Sequence, residues 1–461
     1  VIRPRYLAFL WVVATLAGCN GSEDTPPLDG RGTESSARPE RPEQTEQTER
    51  SPANQVPLTR PVREALGRVI AGLDERRLDV DALGELGGSE DPRVLWLVAD
   101  LLRLFGTEER RAAQSVFTAI TGVALDPDDW GGIRNHLIAG DTPAYPGYRE
   151  DKRNLFLRID SRWKPFFDDE DSLIDWRMVD WGGVLMDDRT DGGPGRRCYR
   201  CIPALDDPPV TDATGGDWYP EDALVFGVVI NGEARAYPKN IMEVHEMVND
   251  ELGGRRFAMP YCTLCGSAQA YFTDDVAGFR PLLRTSGLLS RSNKFSFDLY
   301  TMSAIDTFTG RAISGPLLDA GVRLTPIAVV VSSWGAWKAD YPDTTIVAED
   351  GGVPGWRYPE DPLGGRDDNG PIFPVGDVDP RLPVQERVLG VVAPDGVTVA
   401  FPVAEAALSL EAGEAVEYDG ISLTLDGDGL RARIDQEDAG AHESFWFAWS
   451  QFHPDTRLWR R

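Results

Sequence analysis

Leu224-Val-Phe-Gly-Val-Val-Ile-Asn231-Gly232-Glu-Ala-Arg-Ala-Tyr-Pro238 reads as a strand, an Asn-Gly turn and a second strand. Asn-Gly accepts the two positive φ angles that a tight hairpin needs, and β-forming residues flank it on both sides. The same texture returns at Val388-Leu-Gly-Val-Val-Ala-Pro-Asp395-Gly396-Val-Thr-Val-Ala-Phe-Pro402, with one extra residue between the shared Gly-Val-Val and Ala-aromatic-Pro ends. A second echo follows each hairpin: Trp334-Gly-Ala-Trp337-Lys-Ala-Asp-Tyr341-Pro342-Asp343-Thr344 matches Trp446-Phe-Ala-Trp449-Ser-Gln-Phe-His453-Pro454-Asp455-Thr456 without a gap. Two matching pairs in the same order predict an internal duplication. The expected fold class is therefore α+β: a small N-terminal helical module followed by a duplicated β-rich domain with short helices. The first repeat would span 176–350 and a second, shortened repeat 375–461. Pro238 and Trp334 are 96 residues apart, Pro402 and Trp446 only 44, and the material missing from the second copy holds His245, Cys262 and Cys265. Function is expected in the first half.

Upstream, residues 57–140 predict the helical module. Val62, Leu66, Val69, Ile70 and Leu73 recur at helical spacing behind Pro61, and Val94, Leu95, Val98, Leu101 and Leu102 do so behind Asp91-Pro92. A third helix is predicted through Ala112, Val116, Phe117 and Ile120. The first residues carry a different message. Arg3 and Arg5 precede an apolar run from Tyr6 to Ala17, and Leu16-Ala17-Gly18-Cys19 follows. That is the pattern of a secretory signal, and a Cys after Leu-Ala-Gly resembles a bacterial lipobox, so 1–19 is expected to be a lipoprotein signal peptide with Cys19 the lipidated residue. Residues 20–56 hold no aromatic and almost no apolar side chain, which predicts a disordered tether. The expected location is the cell envelope, lipid-anchored on the periplasmic or cell-surface side. Asn20 after the Cys favours the outer membrane.

Across 461 residues, 47 Lys and Arg face 75 Asp and Glu, a net charge of −28. An acidic surface of that size repels phosphate, so no nucleic-acid partner is expected, and the membrane is met through the lipid anchor only.

Beyond Cys19, four cysteines form two CxxC pairs, Cys198-Tyr-Arg-Cys201 and Cys262-Thr-Leu-Cys265. CxxC lets two sulfurs converge on a metal or on each other. Neither pair is followed by His, which excludes covalent haem, and the chain has no phosphate-loop, HExxH or GxSxG pattern, so neither haem nor nucleotide is expected. Three readings stay open: a soft-metal site for zinc or copper, a redox dithiol, or structural disulfides, which secretion favours. His245 lies 17 residues before Cys262, and a thiolate-imidazole centre would use Cys262, Cys265 and His245, with Cys198 and Cys201 completing it or forming a separate bridge. The rival is a non-catalytic partner-binding module with structural disulfides.

Ile202-Pro-Ala-Leu-Asp-Asp-Pro208, Asn231 to Pro238, His245-Glu-Met-Val-Asn-Asp250 and Tyr261-Cys-Thr-Leu-Cys-Gly-Ser-Ala268 resemble the bacterial family called domain of unknown function 3179. Gly287-Leu-Leu289, Ser314-Gly-Pro316 and the Trp334 to Thr344 block continue the resemblance in order. It implies a domain and no established activity. Within it, the His245 and Cys262/Cys265 motifs fall on the family's most recognisable blocks, whereas Cys198 and Cys201 sit where many relatives carry no cysteine. Leu299 and Ile305 stand where the family typically has Arg and Trp, which implies a changed pocket if those side chains shape one.

Overall fold

Asn231 and Gly232 take the positive φ angles expected of them, 51° and 83°, and the strands Leu224–Ile230 and Glu233–Pro238 pair antiparallel around that turn. In the computed structural model, which describes residues 56–461 except 76, 105, 127 and 194–197, this hairpin lies at the middle of one of five small sheets. The signal segment, Cys19 and the tether up to residue 55 lie outside the described residues.

The helices of the N-terminal region run from Arg60–Gly72 to Lys164–Asp168. Pro61 sits in the first turn of Arg60–Gly72, where its missing N–H costs nothing, and Asp79 caps Val80–Gly87 by accepting from the Ala82 amide. Their apolar faces do not close on themselves. Leu66, Leu95, Trp96, Phe117 and Trp163 join one core with Leu288, Phe295 and Phe297 of the strands Leu283–Ser290 and Asn293–Asp298. A buried ionic knot reinforces the seam. Asp100 accepts from Lys152 and from the Tyr148 hydroxyl, both at 2.9 Å, and pairs with Arg134. Arg134 and Lys152 also donate to the carbonyls of Arg177 and Val179. Burial pulls the Lys152 ammonium down to about 8, so it depends on Asp100 to stay charged. Among the described residues no helix is long and apolar enough to cross a membrane.

The β part departs from the expected duplicated α+β domain. Five small sheets of five, six, five, four and four strands form a propeller-like arrangement beside the helical N-terminal region. The echoes that suggested doubling fall within two of these sheets. In one, Val330–Ser333, Leu224–Ile230, Glu233–Pro238 and Thr345–Val347 lie side by side; in the other, His442–Phe445, Arg387–Val392, Thr398–Pro402 and Arg457–Leu458 follow the same order and directions. Trp337 donates to Thr344 and Trp449 to Thr456, and the Trp337 and Trp449 rings lie where a Cβ on Gly227 or Gly390 would stand. The likeness ends there. Between hairpin and Trp-containing helix the first stretch supplies strands to two further sheets, while the second makes a separate four-strand meander, Val416–Tyr418 to Glu437–Asp438. A tight turn and a Trp ring over a Gly are local solutions, and their recurrence did not extend to a domain.

Candidate functional site

The strand Arg255–Cys262 runs antiparallel to Met247–Leu252 and ends on Cys262. There the chain makes one 3-10 turn, Thr263–Cys265, and Gly266 at φ 59° sends it back as Ser267–Ala268, with Ser267 opposite Cys262. Gly266 is required twice over: its φ is left-handed, and a Cβ there would press the Phe445 ring at 3.0 Å. The turn brings both sulfurs to one side, under cover. Cys262 is 2% exposed, Cys265 is fully buried, and both are free thiols. Their sulfurs lie 3.8 and 3.4 Å from the Ser292 carbonyl oxygen.

A charge pair stands beside them. Thr263, inside the CxxC, donates to one Glu246 oxygen at 2.9 Å, and the other Glu246 oxygen holds the Lys294 ammonium. Lys294 comes from Asn293–Asp298 in a different sheet, so the site forms where two sheets meet. The two thiols are driven apart. Burial alone would oppose ionisation of Cys262, but a hydrogen bond from the Cys265 thiol and the Lys294 charge hold it below the ordinary thiol value. Burial and then the neighbouring Cys262 sulfur push Cys265 well up. One sulfur is eased toward thiolate while its partner keeps its proton.

His245 is not part of this group. It ends the helix Lys239–His245, donates from Nδ1 to the Pro203 carbonyl at 2.7 Å, and accepts at Nε2 from the Tyr358 hydroxyl at 2.7 Å. Burial pulls the imidazole down to about 4, so it is neutral with both nitrogens engaged. The expected Cys262–Cys265–His245 coordination sphere does not form, because the helix end presents His245 to the Pro203 side. The next residue, Glu246, turns at φ 52° and faces the dithiol instead. Glu246 and Lys294 are the residues of this cluster that sequence reasoning missed. Glu246 stood in the quoted His245 motif, but Lys294 carried no signal, being 32 residues past Cys262.

Cys198 and Cys201 form a disulfide with Cα atoms 5.5 Å apart, both half-buried, on a loop whose Tyr199 is 78% exposed. Asp187 lies beside them, its ligand oxygen and both sulfurs within 4.8 Å of one another; among the described residues this is the group of three that could hold a metal ion. Cys262 and Cys265 belong to no such group, so the two pairs do not converge on one centre. The Asp187 carboxylate is already engaged by Arg189, through Nε and Nη2 at 2.7 Å each, and by the Ala204 amide at 2.9 Å. His245 feels the charges of Arg189 and Asp187 from the other side. Leu299 and Ile305 both pack into core clusters.

The segment 348–386 lies against His245 and the Thr263–Cys265 turn. Tyr358 reaches His245, Pro359 accepts from Asn240 at 3.1 Å, and the turn Arg366–Asp368 lies against Thr263–Cys265. An irregular stretch of this length in a packed domain commonly serves a site.

Residues 199–421 match the family described as a protein of unknown function (DUF3179), so this segment is similar to that family. The matched segment takes in Glu246, Cys262, Cys265 and Lys294 and begins one residue after Cys198. No curated protein and no solved structure matches the chain.

Proposed function

We propose that this chain is a redox protein of the cell envelope, anchored by lipid on Cys19 with the outer membrane favoured, whose working group is the Cys262–Cys265 dithiol. The observation that carries the reading is the sealed CxxC turn with its two thiols held at opposite tendencies beside the Glu246–Lys294 pair. Oxidation removes two electrons and two protons and joins the sulfurs. Cys262 is the sulfur that attacks and Cys265 the one that closes the bridge, with the Lys294 charge favouring the Cys262 thiolate. A zinc or copper ion at this pair is the weaker alternative, since the Lys294 ammonium repels a cation and His245 has no free nitrogen. For Asp187, Cys198 and Cys201 a metal requires reduction of the bridge and loss of contacts that Asp187 already makes.

Equilibrating the full chain in thiol–disulfide buffers of stepped potential, with alkylation and mass counting, tests this. A two-electron transition of Cys262 and Cys265, distinct from reduction of the Cys198–Cys201 bridge, is expected. Thiols that stay reduced at every potential until the chain is denatured would refute the reading. Cys19→Ser should move the protein from the detergent phase to the aqueous phase, or leave it as unprocessed precursor. Unchanged partitioning removes the anchor.

A further inference from the structure

Resting on that redox reading, we infer that the dithiol's oxidant is a small hydroperoxide, hydrogen peroxide in the first instance, and not a disulfide carried by another protein. Disulfide exchange needs a partner's sulfur brought in line with the attacking one. Cys262 is 2% exposed and Cys265 has no exposed surface, under the Arg366–Asp368 turn and the Phe445 ring. A protein disulfide has no approach to them, whereas a molecule of two heavy atoms needs only local breathing.

The surroundings also suit an uncharged, hydrogen-bonding guest. Ser267 stands opposite Cys262 in the strand register, its side chain on the same face, and its buried hydroxyl has no partner. Two residues on, both amide atoms of the buried Gln269 are unpartnered. The strand His442–Phe445 packs against Ser267–Ala268 and adds His442 Nε2 and Ser444 Oγ, likewise buried and without partners. Phe308, which packs in one cluster with both cysteines, sets its ring 5.0 Å from His442. Burial keeps His442 neutral, so these groups offer donors and acceptors without net charge. Buried polar atoms left unsatisfied in this way ask for a small polar occupant.

The chemistry balances. The Cys262 thiolate attacks one peroxide oxygen, the O–O bond breaks, and the leaving oxygen takes up the proton that Cys262 released on ionising, giving Cys262 sulfenic acid and water. Cys265 then displaces that hydroxyl, which leaves as water with the Cys265 proton, and the S–S bond forms. Two thiols and one peroxide become a disulfide and two waters.

Rapid-quench alkylation of the reduced full chain, mixed with hydrogen peroxide, cumene hydroperoxide or an oxidised CxxC protein, tests the inference. Hydrogen peroxide is expected to consume Cys262 faster than it consumes free cysteine at the same pH, since the Lys294 charge favours its thiolate. The other two oxidants should be slower. Cys265→Ser should stall at a sulfenic acid on Cys262 that dimedone traps. Ser267→Ala should slow the peroxide reaction without moving the midpoint potential. A dithiol that titrates in the thiol–disulfide buffers but meets hydrogen peroxide no faster than free cysteine, or meets the protein disulfide faster, overturns the inference and leaves the redox reading standing. A dithiol that does not titrate at all overturns the redox reading itself.

Discussion

The two CxxC pairs share a spacing and almost nothing else. Cys198 and Cys201 are bridged on a half-exposed loop, where Arg200 takes φ 54° and Tyr199 faces solvent. Cys262 and Cys265 close a strand, sealed from solvent, with an ammonium and a carboxylate at their side. Spacing decides only that two sulfurs can meet. Their chemistry follows from what surrounds them: an outer pair beside a carboxylate that is already saturated, and an inner pair beside a cation that favours thiolate.

The harshest way to break this contrast is Lys294→Met. It strips the cation from the inner pair and leaves Glu246 buried without its ion-pair partner, which should destabilise the fold by about 3–5 kcal/mol in urea titrations. The absorbance titration of the Cys262 thiolate should shift to higher pH in the same variant. An unchanged titration would mean that Lys294 does not set the difference between the pairs. Cys198→Ser is milder. A bridge closing so short a loop constrains the unfolded chain by only about 2 kcal/mol, so the loss should not exceed that, and the inner pair's midpoint potential should not move. A shift in that potential would show the two pairs to be coupled.

A further contrast is a matter of pH. His245 sits at about 4, and His453 and His442 at about 4 and about 3, because burial disfavours their charged forms. The unfolded chain therefore binds these protons first. Stability should be whole above about pH 6.5, the ordinary histidine value, and fall steadily as pH drops toward 4. His245→Gln should flatten part of that decline in denaturation midpoints measured across the range.

The hairpins, the turn at Asn231-Gly232 and the CxxC pairing of Cys262 with Cys265 were legible in the sequence, because each is a local pattern with a local cause. Direction was not. Whether residue 245 or 246 meets the thiols depends on a left-handed turn at Glu246, made by a residue with no propensity for it. Lys294 enters from another sheet, and nothing in a linear chain announces which sheets will abut. The expected doubling failed for a related reason: matching fragments of about fifteen residues describe one sheet each, and the strands threaded between them decide the rest.

The Trp rings over Gly227 and Gly390 carry a consequence for how such a chain can drift. With no room for a Cβ, neither glycine can change to any other residue while its indole stays, and an indole that shrinks leaves a hole that no glycine fills. Each Gly–Trp couple, 227 with 337 and 390 with 449, is therefore expected to mutate in step or to stay fixed. Across diverging copies of the chain the two couples should behave as single characters, each written at two distant positions.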